Sequence, residues 1–182
     1  TVAFSLSGSM NKRDGYFTDL TNGSEYNEHD RWGIRGQLLF QPTDKLELRI
    51  IADTEEIDEA CCGVANLVNG PTGAIIQLIG GQILPEAPFA RAQYFDFAPL
   101  KEIETSGISL QADYDFDSAT LTSITAFRNQ SKFENADVDF TSARLINPNS
   151  SDTDIDTFTQ EIRITSSGES AFDWMIGGFY FD

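Results

Sequence analysis

The chain has 182 residues, with 12 Lys and Arg against 29 Asp and Glu, a formal net charge of −17. That balance excludes a cationic nucleic-acid-binding face and disfavours electrostatic docking onto anionic lipid. Hydrophobic residues make up 40% of the chain, too many for a disordered tail. No apolar run reaches about 18 residues, which excludes a membrane-spanning helix but not a membrane β-barrel, whose strands are apolar only at alternate positions.

The dominant period is two, the period of half-covered β-strands. Phe4, Leu6 and Met10 alternate with Ser5, Ser7 and Ser9. Trp32, Ile34, Leu38 and Phe40 alternate with Arg35, Gln37 and Gln41, and Leu46, Leu48 and Ile50 with Glu47, Arg49 and Asp53. Ile108, Leu110, Ala112 and Tyr114 alternate with Ser109, Gln111 and Asp113. The pattern blurs over residues 119–135, where Ser123 and Thr125 share a side with Leu121 and Phe127. It returns with Phe158, Ile162 and Ile164 against Glu161 and Arg163, and residues 172–182 read as a last, aromatic-rich strand. About seven strands result. Tight turns are expected near 41–44, 115–118 and 166–170, from their Pro, Asp, Ser and Gly content. Long connections are expected near 20–29, 55–103 and 136–156. In the longest, Pro71 near the start and Gly80 at the end of an apolar stretch predict one short helix over 71–80.

Short and long connections alternate along the chain, as in an antiparallel up-and-down meander with all its short turns at one end. The expected fold class is therefore all-β, a partial segment of a transmembrane β-barrel. The competing architecture is a secreted, soluble β-sandwich that binds glycan or protein. Strands of ten or more residues and an expected inner face with charged or amide residues in every strand favour the barrel. That polar face would hold Arg35, Gln37, Glu47, Arg49, Asp53, Asp113, Glu161 and Arg163.

Few residues suggest chemistry. Asp152, Asp154 and Asp156 have the oxygen donors of a weak calcium site, but the spacing lacks the Gly and closing Glu of an EF-hand, and a solvated acidic loop is the plainer reading. Cys61 and Cys62 are adjacent. They can form a vicinal disulfide or stay reduced, and an oxidising compartment favours the bond. His29 is the only histidine, so neither a zinc site nor a Ser-His-Asp set can be built. No catalytic residue, cofactor or enzymatic activity is expected.

Several stretches resemble the TonB-dependent outer-membrane receptors of Gram-negative bacteria. Lys12-Arg13-Asp14-Gly15-Tyr16-Phe17 before Asn22-Gly23 is similar to a strand entering an external loop of that family. Arg35-Gly36-Gln37-Leu38-Leu39-Phe40-Gln41-Pro42-Thr43-Asp44 resembles its paired strands about a periplasmic turn. The segment 119–128, the more specific Phe158-Thr159-Gln160-Glu161-Ile162-Arg163-Ile164, and 172–180 follow in family order. The resemblance implies a barrel of about 22 strands, closed by an N-terminal plug, taking up a scarce nutrient such as a ferric siderophore under the drive of the TonB complex. The sequence contains neither plug nor TonB box, and seven strands cannot close, so it reads as a middle section of such a barrel. The partners implied are outer-membrane lipid, the plug and remaining barrel, the TonB complex and the small-molecule ligand. Ligand contact in the family comes from the plug apex and external loops. Here that points to Phe89, Arg91, Tyr94, Phe95 and Phe97, with self-packing of the loop as the plainer alternative.

Overall fold

The computed structural model describes residues 1–84, 86–146, 148–168 and 172–182. In chain order the elements are β1 (Val2–Arg13), β2 (Phe17–Asp19), β3 (Glu25–Tyr26), β4 (His29–Thr43), β5 (Leu46–Glu59), α1 (Gly73–Leu78), β6 (Ala92–Gln93), β7 (Leu100–Asp115), β8 (Ala119–Ala136), β9 (Asn149–Ser166) and β10 (Met175–Phe181). Seven of them form one sheet in the order β1-β4-β5-β7-β8-β9-β10, and every neighbouring pair is antiparallel. The chain thus climbs and descends without a crossover. The turns β4–β5, β7–β8 and β9–β10 lie at one end, and the three long connections at the other.

Directly paired residues share a face of an antiparallel sheet, so the register sorts the side chains. Gly36, Ala52, Ile108, Phe127 and Phe158 stand in one row across β4, β5, β7, β8 and β9. The next row of that face, toward the tight turns, holds Leu38, Ile50, Leu110, Thr125, Gln160 and Tyr180. On the opposite face the row Arg35, Asp53, Gly107, Arg128 and Thr157 is polar throughout. The alternation predicted these two faces, and Pro42 sits where it does least harm. It falls in the register shift between Phe40 and Thr43, where a ladder hydrogen bond is already missing.

Nothing covers the apolar face among the described residues. Phe4, Leu6, Met10, Ile108 and Phe127 are all exposed. The second sheet, order β3-β2-β6, is built from two- and three-residue strands of the long connections. The only cluster of buried apolar side chains among the described residues, Phe17, Tyr26 and Phe95, is built around it. A sandwich would need a facing sheet of comparable size, and the described residues supply none.

The strands run further than hydropathy suggested. β5 continues to Glu59, with Glu55–Glu59 paired to residues 101–105 of β7, so the connection expected over 55–103 spans only 60–99. β9 begins at Asn149, paired with Ala136, so the connection expected over 136–156 spans 137–148. The connection near 20–29 contains β3 and ends as β4 begins at His29. Beyond the row of Gly36, β4 keeps Ile34 and Trp32, but β5, β7, β8 and β9 become mostly polar on both faces and their alternation fades, although backbone pairing does not. The short helix predicted over 71–80 is α1. Residues 169–171 lie outside the described residues, and with them part of the turn predicted over 166–170.

Candidate functional site

The long connections fold into a cap at their end of the sheet. β2 pairs with β3 and, in parallel, with β6, which brings Thr18 opposite Ala92 across the 60–99 connection. Tyr26 and Phe95 meet edge-on, their ring centroids 4.7 Å apart. Carboxylates hold the turns. Asp19, buried, accepts the amides of Thr21 at 2.9 Å and Phe95 at 3.2 Å. Asp137, also buried, accepts those of Asp96, Asp139 and Phe140. Burial pushes the Asp137 carboxyl above the usual carboxylate range. The charge of Asp139 adds to this, and the amide hydrogen bonds oppose it.

Beneath the cap, at the end of the polar face, cations converge. Arg13 pairs with His29 across β1 and β4, Arg31 follows His29 on the same face, and Lys101 stands opposite Glu59 across β5 and β7. The Glu59 carboxylate is 2% exposed. It accepts both Nε and Nη2 of Arg31, and His29 Nδ1 lies 2.8 Å from its Oε1. The guanidinium of Arg13 lies 5.1 Å and that of Arg91 5.9 Å from the ring centre of Tyr16, which draws two cations to one aromatic ring. Arg13, Tyr16, His29, Arg31, Glu59 and Lys101 line a cavity of about 350 Å³ with Glu28, Cys61 and Cys62, and Arg91 lies outside that lining, behind Tyr16. Arg13, Arg31 and Lys101 set against Glu28 and Glu59 give a lining charge of 3 − 2 = +1 with His29 neutral, in a chain of −17. A cationic cavity in an anionic molecule focuses field on an anion of its own size.

The residues singled out from sequence fall in different places. Arg91 reaches this site through Tyr16; its φ of 51° is left-handed, and its carbonyl accepts the Thr18 amide. Phe95 is core, 2% exposed against Tyr26 and Phe17, so it holds the cap together and offers no surface to a ligand. Phe89 is fully exposed, and Tyr94 and Phe97 are half-buried. The Cys61 and Cys62 sulfurs are bonded to each other and line the cationic cavity. Asp152, Asp154 and Asp156 are not in a loop. They alternate along one side of β9, roughly 6.8 Å apart per two residues, and Asp156 accepts Asn129 Nδ2 at 2.8 Å. Extended spacing keeps three carboxylates off one ion. Among the described residues no group of three His, Cys, Asp or Glu is placed to hold a metal.

Arg13, Tyr16, Arg31, Glu59 and Lys101 went unremarked as a site in the sequence. They are far apart in the chain and belong to no motif. The available signal was scarcity: with 12 cations in 182 residues, three at the ends of strands on one face are worth following.

No family model matches the chain, and no curated protein matches it. Among solved structures it is similar to the ferric yersiniabactin uptake receptor FyuA from Yersinia pestis, with a TM-score of 0.71 over 97% of this chain at 17% sequence identity. The chain spans 25% of the length of FyuA. The likeness is one of fold, and the fold is that of a partial β-barrel.

Proposed function

We propose that the chain is a section of a TonB-dependent outer-membrane receptor, and that the cationic cavity under its external loops receives a small anionic ligand, a ferric siderophore first. The observation that carries this reading is the two-faced sheet. One face is apolar, exposed and without a protein partner; the other is polar and leads from a cationic cavity toward the tight turns. Lipid would cover the first face, as it does in a barrel wall. The second would line the lumen around a plug. The edges at β1 and β10 would pair with further strands, since unpaired backbone is not tolerated in hydrocarbon.

In this reading the cap is the external mouth. Arg13, Lys101 and Arg91 attract an anion, and Tyr16 offers it an aromatic face. Glu59 fixes Arg31 and His29, so these two groups keep one geometry as ligand arrives. Energy for release into the lumen comes from the TonB complex acting on parts of the protein outside this section. As a receptor the chain performs no covalent chemistry.

The test is uptake of radiolabelled iron by iron-limited cells carrying the full-length protein. Deleting the gene abolishes uptake of one class of ferric siderophore. The combined substitution Arg13→Gln, Arg91→Gln and Lys101→Gln lowers uptake of the same class while the protein stays in the membrane. Unchanged uptake in the deletion strain, or a protein that purifies as a folded monomer in detergent-free buffer, overturns the proposal.

A further inference from the structure

The uptake reading makes no use of the vicinal cysteines. Cys61 and Cys62 are bonded through their sulfurs. Both line the cationic cavity, and both, with Lys101, also line a neighbouring one of about 240 Å³ whose walls include Pro99, Leu100, Val138 and Phe140. Cys61 is half-buried and Cys62 is exposed. A disulfide stabilises a fold chiefly through the length of chain it closes. This one joins adjacent residues, so it closes no long loop and contributes little as a staple.

The fold holds the pair from both sides. The Asn27 amide donates to the Ala60 carbonyl at 2.8 Å, Asn27 Oδ1 accepts the Gly63 amide at 2.6 Å, and Asn27 Nδ2 donates to the Gly63 carbonyl at 3.1 Å. Arg13 Nη2 donates to the Asn27 carbonyl at 2.8 Å. The residue that clamps the cysteines therefore also positions one cation of the same cavity. Opening the S–S bond would leave both sulfurs in the wall.

Electrostatics sets the reactivity of such a bond. Exchange proceeds by thiolate attack, and it is faster the better the leaving sulfur holds negative charge. Neighbouring Arg and Lys favour the thiolate form. The cavity is small enough that Arg13, Arg31 and Lys101 act on the bond within a Debye length of about 8–10 Å. The same charges draw an anionic reagent toward it. We infer that the Cys61–Cys62 bond is an exchange site for small anionic thiols. The incoming thiolate bonds to the exposed Cys62 sulfur, the bond between the two cysteines breaks, and its electron pair leaves on Cys61 as a thiolate. A second thiolate then attacks the mixed disulfide and releases Cys62 as a thiolate. The two cysteines are reduced, and the two small thiols leave as one disulfide. The site shares its cavity with the proposed uptake path but does not rest on uptake.

The experiment follows opening of the bond in the full-length protein in detergent. The probe is 2-mercaptoethanesulfonate, with 2-mercaptoethanol as its neutral counterpart. Samples are quenched with N-ethylmaleimide and read by peptide mass spectrometry. Per thiolate present, the sulfonate should open the bond about tenfold faster at low salt, the lower end of electrostatic focusing, with the first adduct on Cys62. The net charge of −17 would by itself give the reverse order. Near 1 M salt, where the Debye length is about 3 Å, the two rates should converge. Arg13→Gln with Lys101→Gln takes the cavity lining from +1 to −1 and should abolish the preference, with amide exchange at Phe95 reporting that the cap is folded. The salt series on the wild type needs no variant. Equal rates at low salt, a preference that survives about 1 M salt or persists in the folded variant, or free thiols at Cys61 and Cys62 before reagent is added overturns the inference. Each of these leaves uptake untouched, since an anion can pass an inert disulfide.

Discussion

Arg128 crosses a strand to reach its partner, and Gly107 is what lets it cross. Asp53 on β5, Gly107 on β7 and Arg128 on β8 stand in one row. The Arg128 Nη2 lies 2.9 and 2.7 Å from the two oxygens of Asp53, passing over Gly107, while Arg35 Nη1 stands 3.5 Å from Asp53 on the other side. A Cβ on Gly107 would sit 2.8 Å from Arg128 Nη2 and 3.0 Å from its Cζ. Only the far end of a flexible side chain is in the way, so Gly107→Ala leaves the backbone alone and displaces the guanidinium. The two arginines are about half exposed and Asp53 one-fifth exposed, so the lost pair is worth about 1 kcal/mol. Ala in a strand gains roughly 0.5–1 kcal/mol over Gly. In the wild-type background the two effects nearly cancel. In an Arg128→Met background only the gain remains, and Gly107→Ala stabilises. The double-mutant cycle should therefore show a coupling of about 1 kcal/mol, read from urea unfolding of the full-length protein in lipid vesicles. Additivity within about 0.3 kcal/mol would refute the bridge over Gly107.

Three further outcomes follow from the same geometry. Glu59→Gln removes the charge that Arg31 and His29 share. It should cost about 2 kcal/mol, below the usual figure for a buried pair because Arg31 is 38% exposed, and it raises the cavity lining from +1 to +2. Vesicle unfolding measures the cost, and a change under about 0.5 kcal/mol would show the cluster to be solvated. Leu110→Arg, in the apolar row, should destabilise by roughly 2–4 kcal/mol in vesicles, while Gln111→Arg next to it on the polar face should change little; equal costs would mean that the faces are assigned wrongly. Burial raises the Asp137 carboxyl above its ordinary value, so the closed cap holds a proton that the opened cap releases. That contribution is complete below the ordinary carboxylate range and lost as pH rises through the raised value. Phe95 amide protection, corrected for intrinsic exchange, should fall over that interval in wild type and not in Asp137→Asn. A flat wild-type profile would count against the burial argument.

The sheet was legible because its two faces differ in chemistry, and Trp32 to Phe40 shows this most plainly. The blurred strand has a specific cause. Ser123 and Thr125 on β8 share the apolar face with Gln160 on β9. Thr125 Oγ1 donates to Gln160 Oε1 at 2.6 Å, and Gln160 Nε2 donates to Ser123 Oγ at 3.1 Å. Three polar side chains thus satisfy one another across the strands, and hydropathy read along one strand cannot register a partner on the next. Strand ends were misjudged for a related reason. Trp32, Glu56, Glu104, Ser131 and Asp154 form one row, but its members share backbone pairing and not apolarity. The cap was invisible because its contacts are distant in sequence. Thr21 donates its hydroxyl to the Phe95 carbonyl, 74 positions away, and no local pattern records such a pair. Phe95 was read as a ligand contact from its residue type, when its real partner, Tyr26, lay on the far side of β4 and β5.

The acidity of the chain and the cationic cavity have one explanation. Inside the cap the carboxylates of Asp19, Asp137 and Asp139 are taken by backbone amides, and that of Asp96 by Arg144. They tie the turns and project little field. Along the strand extensions, the apolar face continues into Glu56, Asp58, Glu102, Glu104, Asp152, Asp154 and Asp156, which the register turns away from the polar face. The cavity is left with Arg13, Arg31 and Lys101 and two acids, both engaged: Glu59 by Arg31, and Glu28 by the Ala60 amide at 3.2 Å. At this height of the sheet the acids outnumber the cations heavily on the outer face, where Lys12 stands among them, while on the inner face Glu55 and Glu134 are offset by Arg13, Arg31, Lys101 and Lys132. An anion approaching at low salt is repelled by the outer side and drawn to the inner one, and within a Debye length of about 8–10 Å that difference selects the route. Net charge alone argues against a cationic surface on this protein; the strand register, which decides the face each charge occupies, leaves one.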